Sequence, residues 1–510
     1  MRPMRVLLAT VLGTAALLAA GCGGGSSFSS SGGQAESGET ASLAPKGAGL
    51  WVTVDTDTAS AQWQALDAVL AKVPGATKLV DDAIAQIEGG DTKLDLQTDV
   101  LPALGDEVVV VLPGGSPDPV VLLKPDDDAK LEALLATSDK KPVTGEVEGW
   151  TAVAQSQKAL AAYKTALAEG TLADDDSFTE AMDGLPAEAL ARVYVNGKGL
   201  AGAFDKAAGA ASSALGSLPA TGGLSLGSAS SLPVNAKALG QLGTIGLAVS
   251  AGANSLRVDG SIETASGVHA VSFEPRLLDR VPGDAFVAVT LAGDAAVAKQ
   301  LRAALAEGGN AEALGSVEKL LGVSLDDVIG LAEGQGVLYA RPSLIIPEIT
   351  IVLEPSNPAR ALQTIDTAVS KLTAASNTKV STTTQNGVAM KQVSLNGLPV
   401  SWGRDGDRII VTTGPHAIED FDGNGEKLVN TERFKQAAAE VGLGDETGGF
   451  AYVDVKALAP LLMTIATASG SGVDASAKKL IDALSAIDSI ALNATPDGSR
   501  VGFQAAVRVS

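Results

Sequence analysis

The feature that most constrains this chain is that it states one order of elements twice. A turn and alternating strand at Leu43–Asp55 return at Val281–Leu291, and a short helix running into a buried strand at Leu94–Leu112 returns at Val323–Ala340. Pro119–Pro125 followed by helical Asp128–Ala136 matches Ile349–Pro355 followed by helical Pro358–Leu372, giving strand, proline turn and helix in both. A helix carrying Phe178, Ala181 and Leu185 then leads to Tyr194-Val195-Asn196. Its counterpart carries Phe434, Ala437 and Val441 and leads to Tyr452-Val453-Asp454. Each series closes on two alternating strands around a polar turn, at Leu242–Glu263 and Ile487–Val509, the pattern of a hairpin.

The second series is longer. Its extra residues fall at Lys379–Trp402 and read as strand, Asn386-Gly387 turn, strand, Asn396-Gly397 turn, strand, because Asn-Gly favours the two-residue hairpin turn. Strands that alternate or adjoin hairpin turns, with helices inserted in blocks, predict an α+β fold: two tandem copies of a mainly antiparallel sheet-plus-helices module. They do not predict a doubly wound parallel sheet with a nucleotide crevice. The expected modules are residues 43–270 and 271–510. Apolar, Ala-rich insertions occupy the same place in each, Ala207–Leu239 and Lys456–Ala486.

Before the first module lies a different kind of segment. Arg2 and Arg5 precede the uncharged run Val6–Ala20, and Ala19-Ala20-Gly21 leads into Cys22, the layout of a lipoprotein signal peptide over residues 1–21 with a lipid-acceptor cysteine. Ala19 stands where such signals usually carry leucine, and Leu18 is one place earlier. The run falls short of the about 20 apolar residues that span a bilayer; plain cleavage leaving a free thiol is the other reading. Cys22 is the only cysteine of 510 residues, so no disulfide staples the fold and burial must stabilise it. The Gly/Ser-rich stretch 22–42 reads as a tether with a reach of roughly 25 Å. The chain is thus expected at the extracytoplasmic face of a cell membrane, held by lipid on Cys22.

The openings, the Phe178 and Phe434 helices and the Tyr194 and Tyr452 strands make the chain resemble the bacterial envelope proteins called domain of unknown function 3352. The resemblance implies fold and location and brings no established activity, cofactor or site residue.

A net charge of −22 offers no basic footprint for nucleic acid and keeps an envelope protein soluble. Candidate chemistry is sparse. Gly223-Leu224-Ser225-Leu226-Gly227 matches a nucleophile elbow but lies in Ala/Gly/Ser-rich sequence without a strand before it. The two histidines, His269 and His416, fall in different modules, so no local zinc pair forms. Asp420, Asp422 and Asn424, with Gly425 next, take the one, three, five and six positions of a calcium loop, although Thr431 stands where a bidentate acid is required. A solvated turn competes with that reading. The runs Asp126–Asp128 and Asp174–Asp176 precede helices, where carboxylates cap free N–H groups. Aromatic residues make up 3% of the chain, too few for a sugar-stacking platform.

The expected function is that of a non-catalytic lipoprotein, a scaffold or interaction module with no cofactor, meeting the membrane through its lipid and an envelope protein through its fold. The alternatives are a carrier of an apolar ligand such as lipid, with the apolar insertions as its walls, and, behind it, a hydrolase.

Overall fold

The structure, a computed structural model, describes residues 33–76, 95–138, 141–206, 243–263, 271–294, 296, 318–343, 347–376, 378–395, 397–468 and 481–510. Cys22, the signal segment, Ser225, His269, Asn396 and the insertion 207–239 lie outside them. The chain divides into two compact units, one up to Ala265 together with Gln504–Ser510, the other Ser266–Phe503.

The first unit is built on β1 (Leu50–Asp55), β2 (Glu107–Leu112), β3 (Val120–Leu123), β4 (Val143–Val147), β5 (Trp150–Ala154), β6 (Ala191–Asn196), β7 (Thr244–Gly252) and β8 (Ser255–Glu263). Pairing is antiparallel throughout and runs β4-β5-β3-β2-β1-β6-β7-β8. Val108–Val111 and Val120–Leu123 are apolar without alternation because both faces of the sheet are covered. On one face Trp51, Val109, Val111, Leu122, Tyr163, Leu172, Phe178 and Tyr194 pack together; on the other Val52, Val54, Val108, Val110, Leu123, Leu104 and Leu131 do. The Gln157–Ala168 and Asp176–Met182 helices supply the first layer, Leu101–Leu104 and Asp128–Ala136 the second.

Gly33–Ser42, which composition assigns to the tether, is helical, with Thr40 and Ala41 buried and Thr40 C=O accepting from Trp51 Nε1 at 3.2 Å. Folded structure therefore begins ahead of Leu43. The Ala61–Leu70 helix is a second element that the repeat pattern does not disclose; Ser60 caps it, and Leu66 packs beside Leu190 and Ala251.

The second unit contains β9 (Val287–Gly293), β10 (Gly334–Arg341), β11 (Glu348–Pro355), β12 (Ser381–Gln385), β13 (Val388–Leu395), β14 (Leu398–Asp405), β15 (Arg408–Thr412), β16 (Gly449–Asp454) and β17 (Ile487–Asp497), and β18 (Arg500–Val509) ends the chain. Its antiparallel order is β12-β13-β14-β15-β11-β10-β9-β16-β17. Asn386 and Gly387 both have positive φ, 46° and 81°, as the turn predicted between β12 and β13 requires. The Pro358–Ser376 helix is tied to the β13–β14 region by Asp366, which accepts from Trp402 Nε1 at 2.8 Å and pairs with Lys391 at 2.7 Å.

Several backbone contacts recur from one unit to the other. Leu172 N–H donates to Ala44 C=O at 2.8 Å, and Leu428 N–H to Val281 C=O at 2.8 Å. Gly49 N–H donates to Leu112 C=O and Phe286 N–H to Ala340 C=O, both at 2.9 Å. In each unit a 3₁₀ turn beginning at that leucine leads into the helix bearing Phe178 or Phe434.

Candidate functional site

The acidic runs of the first unit behave as helix caps. Asp127 accepts from Ala129 and Lys130 N–H at 2.9 and 3.2 Å, and Asp175 from Ser177 N–H at 3.0 Å, so the free donors at two helix starts are satisfied by the side chains expected there. His416 is the residue before the Ala417–Asp422 helix; it is exposed, and its Nδ1 lies 3.6 Å from Glu419.

The residues of the proposed calcium loop are placed differently from what their spacing suggests. Asp420 and Asp422 sit on the helical turn Ala417–Asp422, and Asn424 is exposed. Asp420 accepts from Arg341, and Asp422 from both Arg280 and Arg408, the latter bidentate at 2.7 and 2.9 Å. Arg341 forms a second bidentate pair with Asp284 at 2.7 and 2.9 Å, and Arg408 also meets Asp405. Lys427 Nζ donates to the carbonyls of Arg280, Asp420 and Phe421 at 3.2, 3.1 and 2.9 Å. The carboxylates of Asp420 and Asp422 are thus turned onto guanidinium groups.

Charge balances in this cluster: Arg280, Arg341, Arg408 and Lys427 face Asp284, Asp405, Asp420 and Asp422. The Arg408 hydrogen bond holds the Asp422 carboxyl below its ordinary range, with the charges of Arg408, Arg280 and Lys427 adding to it against partial burial. Burial, then Arg280, pushes the Lys427 ammonium down. Arg280 and Arg408 also stand 5.3 and 5.7 Å from the Phe421 ring centre, and Phe421 stacks on Tyr339 at 6.0 Å. The arrangement clamps the Ala417–Asp422 helix to β10, to the β14–β15 hairpin and to the chain before β9. Its arginines are dispersed over the sequence, so no local motif announces it.

A cleft of about 400 Å³ opens nearby in sequence, lined by Gly283, Leu428, Thr431, Glu432, Arg433, Gln436, Asp454 and Asp488. Its charged groups already hold the fold. Asp454 accepts from Arg433 and from Ala457 N–H at 2.8 Å, capping the Val455–Ala468 helix, and Asp488 pairs with Lys456 at 3.1 Å. Gln436 donates to Glu432 at 3.0 Å. Among the described residues no group of three His, Cys, Asp or Glu side chains is arranged to hold a metal ion.

Burial raises the carboxyls of Asp55 and Asp259 above their ordinary range, but in the first unit and at separate strands. Asp55 accepts from Ser60 at 2.6 Å and Asp259 pairs with Arg257 at 2.6 Å, so each is a local adjustment and the two do not form a dyad.

No curated protein matches the sequence. A solved structure of the protein TP0453, crystal form III, aligns at 10% identity over 45% of this chain and 81% of that one, with a TM-score of 0.21, too low to carry an argument. Among the described residues no helix is long and apolar enough to cross a membrane. The family model described as "protein of unknown function (DUF3352)" matches residues 135–504, well over half of the chain and reaching into both units. The chain belongs to the DUF3352 family.

Proposed function

We propose that the protein is an extracytoplasmic lipoprotein, anchored by lipid on Cys22 after removal of residues 1–21, and that its two units are tandem copies of one antiparallel sheet-plus-helices module acting as a non-catalytic interaction scaffold. The anchor rests on the Arg2-to-Cys22 layout. The tandem reading is supported by the order β5-β3-β2-β1-β6-β7 and its counterpart β15-β11-β10-β9-β16-β17, and by the hydrogen bonds that recur at Leu172 and Leu428. The second module's additions would be β12 and β13.

One observation carries the non-catalytic reading. The cleft and the arginine cluster are two concentrations of charged side chains among the described residues of the second unit, and the carboxylates named there, Glu432 apart, bind guanidinium, ammonium or backbone N–H groups that hold elements in place. Neutralising one cleft carboxylate, Asp488→Asn, tests it. A scaffold keeps every partner interaction that does not touch the cleft, whereas a hydrolase with its acid there loses turnover on a panel of glycoside, ester and peptide substrates.

The runner-up, a carrier of an apolar ligand, is favoured by a different feature. Leu291 on β9, Ile349 on β11 and Leu492 on β17 are 48%, 44% and 42% exposed, and the strand register puts them on one face of the sheet. Lipid extraction from protein purified out of its own host distinguishes the two readings: a stoichiometric apolar molecule favours the carrier.

A further inference from the structure

We infer that β12 is a self-recognition edge, through which two copies of this chain pair antiparallel about a two-fold axis at Thr383. Among the described residues β12 is hydrogen-bonded on one side only, to β13. The two-residue turn Asn386-Gly387 makes Gln385 and Val388 the closing hydrogen-bonded pair, so Thr383 and Ser381 also direct their N–H and C=O groups to β13. The backbone groups of Thr382 and Thr384 therefore point outward, and both residues are exposed.

Edge strands are ordinarily protected by charge, proline, a bulge or a covering element. The first unit's edge, β4, has such protection: Pro142 precedes it and Glu146 lies on it. Ser381–Gln385 carries no charge and no proline.

A second copy is the occupant that this edge fits. Thr382-Thr383-Thr384 reads the same in both directions, as an isologous contact requires of its own surface. Two-fold pairing sets each Thr382 against the partner's Thr384, which supplies four backbone hydrogen bonds, and leaves the two Thr383 residues as a close, non-hydrogen-bonded pair with side chains in contact. In a chain of net charge −22, an uncharged edge lets two copies meet without opposing carboxylates. The contact is small, so the dimer is weak and transient in dilute solution. The inference names a partner within the interaction-scaffold reading and rests on it.

The test uses the full chain with Cys22→Ser, which makes an introduced cysteine the only thiol. Thr383→Cys places two Cα atoms about 4.5 Å apart across the dyad, within disulfide range, while Thr382→Cys places them beyond the about 7 Å limit. Under mild oxidation the Thr383→Cys chain should form linked dimer at least about tenfold faster than Thr382→Cys alone. A mixture of Thr382→Cys and Thr384→Cys should link as heterodimer, and raising salt from about 0.05 to 0.5 M should speed both reactions. Equal rates at all three positions, or no linked dimer, overturn the inference. Amide exchange in the chain without added threonine substitutions is the second measurement: protection of Thr382 and Thr384 must rise with protein concentration. Protection that appears only on adding another protein overturns the second copy as occupant. A monomer that also carries no ligand removes this pairing while leaving the scaffold reading in place.

Discussion

The ring of Phe178 meets that of Tyr194 edge to face at 5.1 Å, and Phe434 meets Tyr452 at the same distance with a similar tilt, 72° against 66°. Each phenylalanine comes from the helix after a 3₁₀ turn, and each tyrosine from the strand that follows, β6 or β16. The two cores are closed by the same contact. Trp51 completes the first at 5.2 Å and Phe450 the second at 5.6 Å.

Edge-to-face pairs contribute about 0.5–1.5 kcal/mol beyond area burial. Double-mutant cycles on Phe178 with Tyr194 and on Phe434 with Tyr452, read by urea unfolding, should both give coupling of that size. A coupling near zero in one cycle and not the other would break the equivalence.

Gly105 and Gly334 open β2 and β10 with φ of 75° and 126°, and a Cβ there would stand 1.8 Å from Lys124 O and 2.0 Å from Glu354 O. Gly105→Ala and Gly334→Ala should each lose roughly 2 kcal/mol or more in denaturant midpoint analysis. Gly75, with φ of 84° and open space around it, isolates the backbone term, so Gly75→Ala should cost about 1 kcal/mol.

Much of this architecture was legible in the sequence. The Phe and Tyr positions, the Asp127 and Asp175 caps, the Asn386-Gly387 turn and the surplus strands of the second unit follow from hydrophobic period and local turn chemistry, which act over a few residues. The β4–β5 hairpin escaped because Glu148 and Gly149 form its turn with positive φ, without the Asn-Gly signal. The arginine cluster escaped for another reason. Arg280, Arg341 and Arg408 converge on Asp420 and Asp422 only through tertiary packing, which the local spacing of those aspartates does not encode.

Acid titration tests that cluster. Asp422 is held low by Arg408 first, so its folded value lies below its unfolded one: the stabilisation is present above about pH 4 and is lost as pH falls through the folded value. Asp422→Asn should destabilise the chain by about 1–2 kcal/mol at neutral pH, because it leaves the partly exposed Arg280 without its carboxylate and Arg408 with Asp405 alone. It should also shrink the difference in stability between pH 7 and pH 3. An unchanged acid limb would show that the clamp contributes little.

Burial raises the phenol of Tyr339 to about 12 and those of Tyr163 and Tyr452 above the ordinary value too. A raised phenol stabilises the fold below its unfolded value near 10 and loses that contribution as pH rises further. Absorbance at alkaline pH should therefore show these three of the chain's four tyrosines ionising only together with unfolding. A smooth titration near pH 10 with the fold intact would contradict their burial.

Native mass spectrometry of the protein purified from its own host's membranes reads the anchor and any bound molecule together. A lipid-anchored scaffold gives a chain that begins at Cys22, carries acyl groups there and holds no other stoichiometric molecule. A chain with no acyl group on Cys22, or one that carries a bound apolar ligand at one copy per chain, would contradict it.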